Sequence, residues 1–299
     1  MGVFESPDLV PLWDRPPDFM PLHPHGGAYR WRYDTVRREL VAVSETLDKA
    51  SSERRVALLA HPDLSDCQAA EGLHAGIQLL RAGEAAAAHR HTPAALRVGL
   101  EATELITTVN DDDLLLDPLD VVLNPSGTWH GHEERGGAGA VWLDVVDLPL
   151  VAALGGVLFE PAGQPRGSDL LDPPIPVSSM IRFAWSDVEP ELGEARDVSG
   201  VRSYRYGDGS VLPTLAVTAH AVDEGATLHL PARTAGAVAL IGRGRFELGA
   251  LDLDRFDVIS LRSWTPASFT SRTGSGVVMV IDTSPVAQRL GLYREAAQR

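Results

Sequence analysis

The sequence predicts an all-β fold of two tandem β-sandwich or β-barrel domains behind a helical N-terminal arm, a class that includes jelly-roll barrels. Three observations support this prediction. Short apolar runs separated by Gly, Pro, Asn, Asp or Ser recur from residue 55 onward and indicate strands joined by turns. The runs form two blocks with the same rhythm, which indicates a duplicated unit. A segment rich in Pro, Gly, Asp and Ser separates the blocks, as expected of an interdomain connection.

The elements follow in order along the chain. Residues 1–54 predict a Pro-rich arm and a helix, because apolar residues recur at helical spacing between Thr35 and Lys49. Residues 55–158 contain the first block, with runs such as GIQLL, ALRVGL and AVWLDVVDL. Residues 159–209 are expected to link the domains, with a short helix, and residues 210–299 repeat the block in TLAVTAH, AVALIG and GVVMVIDTS before a helix-like tail.

Charge and composition exclude several classes of function. The chain has 41 acidic and 26 basic residues and a formal charge of −15, so it repels phosphate backbones and we expect no nucleic-acid partner. Without a long apolar stretch or a secretory signal, we expect a cytoplasmic protein with no membrane partner. The single cysteine, Cys67, excludes an internal disulfide and a thiolate cluster. Metal binding would therefore depend on histidines and carboxylates.

Three histidines have the spacing of metal ligands. His89 and His91 lie two residues apart after Gly83, so on a strand both side chains project from one face. A third, His130, follows a strand and the turn Pro125-Ser-Gly127. Imidazole suits iron, copper, nickel or zinc, and three protein ligands leave positions open for a substrate and oxygen.

These residues form G-x5-H-x-H and P-x-G-x2-H, the signature of the cupin superfamily, and the chain resembles the gentisate and salicylate 1,2-dioxygenases in particular. The resemblance spans nearly the whole chain, including WRYDTVRREL, LHAGIQLLRAGEAAAAHRHTPAALR and PSGTWHGH. It implies two jelly-roll cupin domains, one Fe(II) per chain and a homo-oligomer, either a tetramer or a dimer. Many cupins add a glutamate ligand after the second histidine, but this family does not, and Ala95 and Leu96 stand there.

The resemblance also implies roles for neighbouring residues. Arg97 would hold a substrate carboxylate, for which a guanidinium fork is a natural partner, although a surface ion pair is the alternative. His132, together with Asp144, would move protons or handle oxygen. Further substrate contacts are expected from pocket residues, and each of them could also be structural. These are Gln78, His74, Trp129 and one of Arg54 and Arg55, between which the sequence leaves the choice open.

The second block has lost its ligands. Aligning Gly225 with Gly83 places Pro231 and Arg233 opposite His89 and His91, and the parallel between PLDVVL and RFDVIS places Ala267 opposite His130. We therefore expect a second cupin domain that binds no metal and serves as scaffold and assembly surface.

The resemblance implies a ring-cleaving dioxygenase that uses O2 to open a 2-hydroxybenzoate-type ring between the carboxyl- and hydroxyl-bearing carbons. Pro93 stands where the family usually has a polar residue, Gly131 where it has an aspartate, Leu119 and Ala102 where it has glycines, and His74 where it has a bulkier aromatic. These departures predict a substituted or different hydroxy- or aminobenzoate rather than gentisate. Two alternatives stay open. One is a metal-dependent cupin isomerase or a dioxygenase acting on a non-aromatic acid, and the other is a non-catalytic two-cupin binding protein.

Overall fold

The structure, a computed structural model, describes residues 27–47, 54–163 and 181–296. The chain enters through β1 (Ala28–Trp31) and α1 (Tyr33–Thr46). The first barrel and its flanking elements are β2 (Arg55–Leu58), β3 (His74–Leu80), β4 (Ala85–His91), β5 (Ala95–Glu101), β6 (Leu105–Val109), β7 (Asp112–Leu115), β8 (Val121–Asn124), β9 (His130–Glu134), β10 (Ala140–Val146), α2 (Leu148–Ala153), β11 (Phe159–Pro161) and β12 (Arg182–Phe183).

After α3 (Trp185–Glu194), the second barrel repeats this pattern. Its elements are β13 (Val201–Arg205), β14 (Ala216–Val222), β15 (Thr227–Leu230), β16 (Ala237–Arg243), β17 (Phe246–Leu248), β18 (Leu251–Leu253), β19 (Val258–Leu261), β20 (Ala267–Ser271), β21 (Gly276–Asp282) and α4 (Ser284–Arg289). No helix in the described ranges is both long and apolar enough to cross a membrane.

The sheets show the duplication directly. The six-stranded sheet of the first barrel has the order β12-β8-β5-β10-β3-β2, and that of the second has the order β1-β19-β16-β21-β14-β13. The smaller sheets are β11-β4-β9-β6-β7 and β15-β20-β17-β18, so β11 belongs to the first barrel only. The predicted all-β fold of two tandem jelly-roll barrels is confirmed.

One buried apolar cluster joins the barrels. Ile77 and Val98 from the first six-stranded sheet belong to the same cluster as Leu240 and Met279 from the second, whereas the interior of the second barrel is a separate cluster around Phe246. Strands buried on both faces read as continuous apolar runs rather than as alternating ones. This burial explains why the strand segments are so apolar.

The parallel between PLDVVL and RFDVIS extends to backbone conformation. Leu119 and Phe256 both have a φ of 69°, in the left-handed region that favours glycine. In each copy the following aspartate, Asp120 or Asp257, accepts a hydrogen bond from the backbone N–H three residues earlier, at 3.2 Å and 3.1 Å. A glycine is therefore the residue that the backbone favours at position 119, which is where the sequence resemblance expects one.

The arm and the predicted linker both contribute strands to barrels. The helix predicted between Thr35 and Lys49 runs over Tyr33–Thr46. Residues 48–53 and the Pro-rich opening at residues 1–26 lie outside the described ranges. β1 pairs with β19, so the arm joins the second barrel. Within the segment 159–209, β11 and β12 pair with the first barrel and β13 with the second. The predicted tail helix is limited to α4, and residues 290–296 beyond it are not helical.

Candidate metal centre

The three predicted ligands meet at one point in the first barrel. His89 and His91 lie on β4, and His130 begins the neighbouring strand β9, where it pairs directly with His89. Their ligand nitrogens all lie within 4.8 Å of one another. The ring centroids of His89 and His130 are 4.0 Å apart, with the rings in an edge arrangement. Fold geometry thus assembles the cluster that the sequence spacing predicted.

Hydrogen bonds at Nδ1 orient two of the rings. His91 Nδ1 lies 2.7 Å from the Pro93 carbonyl oxygen, and His130 Nδ1 lies 3.0 Å from the Thr128 carbonyl oxygen. A carbonyl there holds the ring proton on Nδ1 and leaves the Nε2 lone pair for a cation. Within the described ranges, buried His130 Nε2 has no hydrogen-bond partner. The residues present therefore fit a metal ion that accepts imidazole ligands.

Burial keeps these imidazoles neutral. Desolvation, reinforced by the nearby charge of Arg54, lowers the pKa of His89 to about 2. Desolvation also lowers the pKa of His91 to about 4 and moves the pKa of His130 well below its ordinary value. Neutral rings keep their lone pairs at ordinary pH, and coordination to a metal requires those lone pairs.

A β-bulge sets the direction of the ligands on β4. Ala86 pairs with His132 and His89 pairs with His130, so a spacing of three residues on β4 matches a spacing of two on β9. β4 therefore has one extra residue between these pairs. A regular strand would place Ala86 and His89 on opposite faces, but the extra residue reverses the alternation and turns both inward. Gly131 is the residue opposite the bulge, and a Cβ there would lie 3.2 Å from the Ala86 carbonyl oxygen. Glycine at 131 therefore accommodates the close approach of β4.

The cluster lies in the wall of a cavity of about 210 Å³. Its lining combines the histidines with charged, polar and apolar side chains from β2, β3, β5 and β10. The lining residues are Arg54, Val56, Leu58, His74, Ala75, Gly76, Gln78, His89, His91, Ala95, Arg97, His130, His132, Asp144, Val146 and Leu148. Most of the predicted site residues thus share one cavity.

Arg97 is a buried cavity residue rather than half of a surface ion pair. Its side chain is 4% exposed, and its Nε lies 3.0 Å from Asp144 Oδ1. Its Nη1 donates a hydrogen bond to Asn124 Oδ1 at 3.1 Å. Asp144 Oδ2 in turn accepts a hydrogen bond from Trp142 Nε1 at 3.0 Å. These contacts fix the guanidinium in the cavity wall.

Asn124 is a site residue that the sequence analysis missed. It is fully buried, and besides accepting from Arg97 it donates from Nδ2 to Thr128 Oγ1 at 3.1 Å, with the same nitrogen 3.1 Å from His130 Nδ1. It therefore connects the arginine with the turn that positions the candidate ligand His130. The signal was present, because an asparagine ends the otherwise apolar run LDVVLN directly before the turn that leads to His130.

His132 and Gln78 occupy buried positions in the same cavity. His132 Nδ1 lies 3.1 Å from Thr107 Oγ1, and its ring centroid lies 4.8 Å from that of Trp142. Desolvation, followed by the charge of Arg97, moves the pKa of His132 well below its ordinary value. The Nε2 of Gln78 is buried and, within the described ranges, has no hydrogen-bond partner. It can donate to a ligand in the cavity.

The structure distinguishes the two adjacent arginines. Arg54 lines the cavity, with Nη2 2.7 Å from His89 Nδ1. Arg55 instead lies outside the cavity lining and forms a paired contact with Glu84, at 2.5 Å and 3.1 Å. The geometry therefore favours Arg54 as the second cationic cavity residue.

His74 and Trp129 also differ in placement. His74 lines the cavity, and its Nε2 lies 2.6 Å from the Asp66 carbonyl oxygen. Trp129, expected at the substrate, does not line the cavity, and its ring lies 5.1 Å from the Arg90 guanidinium instead. Trp129 directly precedes β9 and is next to His130 in sequence, but its side chain contacts Arg90 instead of the cavity.

The strand register corrects the alignment of the second barrel by one residue. Leu230 pairs with Ala267, the counterpart of His130, so Leu230 rather than Pro231 occupies the place of His89. The shift arises because β15 lacks the bulge found in β4, so counting from the preceding glycine overshoots by one. Arg233 forms an ion pair with Asp282 at 2.8 Å. In the described ranges, the only three-residue cluster able to hold a metal is in the first barrel.

Comparison with known proteins places the chain beside ring-cleaving dioxygenases, although no protein-family profile matches it. It is 29% identical to a gentisate 1,2-dioxygenase of Ralstonia sp, over 96% of this chain and 90% of that protein. It is 27% identical to a 5-aminosalicylate 1,2-dioxygenase of Comamonas sp, over 97% of this chain and 87% of that protein. A crystal structure of a salicylate 1,2-dioxygenase from Pseudaminobacter salicylatoxidans shares the fold, with a TM-score of 0.87, 23% identity, and coverage of 97% of this chain and 94% of that chain. The resemblance predicted from the motifs is confirmed.

Proposed function

We propose that this chain is a ring-cleaving dioxygenase that opens a 2-hydroxybenzoate-type ring between the carboxyl- and hydroxyl-bearing carbons, with iron(II) held by His89, His91 and His130. One observation supports this function above all. A buried three-histidine cluster shares a cavity with the buried Arg97, in a chain that resembles dioxygenases of this kind over nearly its whole length.

The histidine set suits the proposed metal. Three neutral imidazoles, without a carboxylate ligand, leave several coordination positions for exogenous ligands. Iron(II) bound there would supply the electron transfer that makes dioxygen reactive toward the ring. We expect one iron per chain, since the second barrel has Leu230 and Ala267 at the positions of His89 and His130.

The polar residues of the cavity would bind the substrate. Arg97, held by Asp144 and Asn124, can pair with a substrate carboxylate, and the buried amide of Gln78 can donate a further hydrogen bond. Arg54 adds positive charge to the same cavity. A cation on His89 Nε2 leaves the ring proton on Nδ1, so Arg54 cannot then donate to that atom and must direct its nitrogen elsewhere.

Proton handling is assigned to His132, with Asp144 in support. His132 is neutral at ordinary pH, lines the cavity and is held through Nδ1 by Thr107. A neutral imidazole can accept the proton that a substrate hydroxyl loses on binding and can return it later. The ring's contact with Trp142 fixes its orientation. We further expect a homo-oligomer, as the sequence resemblance implies, and a cytoplasmic location.

Oxygen consumption tests the proposed function. Protein loaded with iron(II) under anaerobic conditions is mixed with oxygen and a panel of hydroxy- and aminobenzoates, and O2 uptake is followed together with ring opening. We expect one O2 per ring opened and, with ¹⁸O2, both labelled atoms in the product. His130→Ala should abolish uptake, whereas His229→Ala, outside the first barrel, should retain it. Turnover without O2 uptake would favour an isomerase, and binding without turnover would favour a binding protein.

The residues that depart from the family pattern bear on which benzoate is preferred. His74 lines the cavity, Pro93 follows the metal-binding pair, and Gly131 lies opposite the bulge in β4. A site that lacks a partner for a substrate polar group discriminates against that group. We therefore expect a lower kcat/KM for gentisate, with its 5-hydroxyl, than for a less polar 2-hydroxybenzoate. A wide margin in favour of gentisate would contradict this expectation.

A further inference from the structure

An apolar cleft of about 200 Å³ adjoins the metal cavity. Apart from the imidazole of His91, the described residues that line it are all apolar, in contrast to the charged cavity beside it. They are Pro93, Val146, Leu148, Val157, Leu158 and Phe159. The substrate contacts assigned above leave this cleft without a role.

The cleft is continuous with the metal cavity. His91, Val146 and Leu148 line both spaces, so a molecule in the cavity lies next to the opening of the cleft. Because His91 is also a candidate metal ligand, a substituent in the cleft would contact the imidazole of the metal centre. Such continuity connects the cleft to the substrate rather than to an unrelated surface.

The strand register separates the polar and apolar ends of the combined space. Arg97 pairs with Asp144, and Ala95 pairs with Val146 two residues further along β10. Two residues of a strand span about 7 Å. A ring whose carboxylate contacts Arg97 would therefore direct other positions toward the row of Val146, where the cleft opens.

The wall of the cleft is built from an element unique to the first barrel. β11 pairs with β4 so that Phe159 lies opposite His91, and the Phe159 ring centroid lies 5.6 Å from that of His89. The preceding residues are fixed by Thr92, whose Oγ1 accepts a hydrogen bond from the Leu158 N–H at 2.8 Å. The wall is thus held in place before any ligand binds.

The side chains of this wall are only partly covered. Val157, Leu158 and Phe159 are 41%, 39% and 53% exposed, although three consecutive large apolar side chains favour burial. We propose that the cleft is an apolar subsite that receives an aliphatic substituent of the substrate, which makes the substrate class an alkyl-substituted 2-hydroxybenzoate. The orientation of the ring rests on the proposed function.

Direct binding tests the subsite separately from turnover. Salicylate and propyl-salicylates substituted at each free ring position are titrated calorimetrically into anaerobic, iron(II)-loaded protein. Each buried CH2 strengthens binding about fourfold, so one propyl isomer should bind at least about tenfold more tightly than salicylate. Leu158→Asp, which places a charge in the cleft, should remove that gain and leave salicylate affinity within about threefold of wild type. Leu154→Asp is the matched control, because Leu154 is 76% exposed on the same loop and does not line the cleft.

Each outcome decides for or against the subsite. A gain in affinity at one ring position supports the subsite if Leu158→Asp removes the gain and Leu154→Asp retains it. If the protein then consumes no O2, the subsite stands and only the proposed function fails. The absence of a gain at every position, or an equal loss for salicylate and its propyl derivatives, overturns the subsite. A change of oligomeric mass in Leu158→Asp with an unchanged propyl preference also overturns it, by showing that a second copy covers the cleft.

Discussion

The two barrels have the same strand order, but the interior of the first contains charged and polar side chains and that of the second is apolar. Arg97 and Asp144 face the cavity of the first barrel, and the register places Ala239 and Val280 at the same positions in the second. The latter two belong to the closed apolar cluster around Phe246. The second barrel thus shows the jelly roll as a filled core, whereas the first replaces part of that core with polar groups.

The comparison identifies which departures from the repeat make a site. The pairing of β15 with β20 places Leu230 opposite Ala267 as His89 lies opposite His130, so the second barrel has apolar residues at two of the histidine positions. A histidine elsewhere on the strand is insufficient, since His229 is exposed and its Nδ1 lies 3.0 Å from the Ser268 hydroxyl. The bulge in β4 accommodates the extra residue between Ala86 and His89, so that both still face the barrel interior.

The largest expected effect comes from giving the first barrel the residue that the second barrel has. His89→Leu copies Leu230 and removes one of the three candidate imidazole ligands, so metal affinity should fall at least about 100-fold, since even the loss of a contact that supports a ligand costs about 10- to 100-fold. Metal titration monitored beside circular dichroism checks this. Ala88→Gly, which changes a neighbouring residue and keeps all three histidines, should bind metal. Wild-type affinity in His89→Leu would show that His89 is not a ligand.

A smaller effect is expected from Arg97→Lys. A lysine loses the planar fork, so we expect kcat/KM to fall roughly 10- to 150-fold, equivalent to about 1.5–3 kcal/mol for a charged hydrogen bond, with a higher KM, a lower kcat and metal retained. Arg55→Lys is the control, because Arg55 pairs with Glu84 outside the cavity lining. Steady-state kinetics and metal content measure the difference. Equal effects of the two substitutions would remove Arg97 from substrate binding.

The residue opposite the bulge should have a moderate effect on metal affinity. A side chain at Gly131 would meet the backbone of β4, since a Cβ there would lie 3.3 Å from Ala88 Cα. Gly131→Ala should therefore displace β4 slightly and weaken metal binding about tenfold, the low end for changes around a ligand. Gly193→Ala, where a Cβ would meet nothing within 4 Å, provides the control in a competition assay with a chelator. Unchanged affinity in Gly131→Ala would show that β4 adapts without disturbing His89.

Asp147 should show a small effect that depends on pH and reports on the contact between the barrels. Its carboxylate accepts hydrogen bonds from the Ala94 N–H at 2.7 Å and from Thr214 Oγ1 in the segment leading into the second barrel, at 2.5 Å. Burial raises its pKa from 3.8 to about 6. The folded protein therefore binds this proton more tightly than the unfolded chain does. Its contribution to the free energy of unfolding is full below about pH 4 and is lost as pH rises through about 6.

Asp147→Asn isolates that contribution. As the pH rises from about 3 to about 7, the wild type should lose up to about 3 kcal/mol relative to the variant, which has no carboxyl to titrate at position 147. The buried histidines, whose pKa values are lowered, act in the opposite direction, but they are present in both proteins and cancel in the difference. Urea unfolding at several pH values measures it. A constant difference between the two proteins would contradict the raised pKa.

The sequence predicted the fold and the three-histidine cluster because both depend on local patterns. Strand rhythm, the H-x-H pair and the turn before His130 are local signals, and the structure agrees with each. The bulge in β4 could not be predicted, since it depends on pairing with β9 and shows only as an unremarkable run of alanines. That also explains why the alignment chose Pro231 instead of Leu230.

Site residues outside the motifs depended on tertiary contacts. The choice between Arg54 and Arg55 required the position of Glu84, which lies far along the chain and pairs with Arg55. Trp129 was misplaced because a residue adjacent to His130 in sequence can point away from the cavity, and its contact with Arg90 appears only in the fold. Asn124 was missed because its role arises from simultaneous contact with Arg97 and His130.

The central claim is that one metal binds to this chain, in the first barrel. Anomalous X-ray diffraction at the iron absorption edge, on crystals of iron(II)-loaded protein, tests it most directly. We predict one peak per chain between His89, His91 and His130, with a metal content near one that His130→Ala reduces to near zero. An anomalous peak inside the second barrel, or full iron occupancy in His130→Ala, would contradict the account.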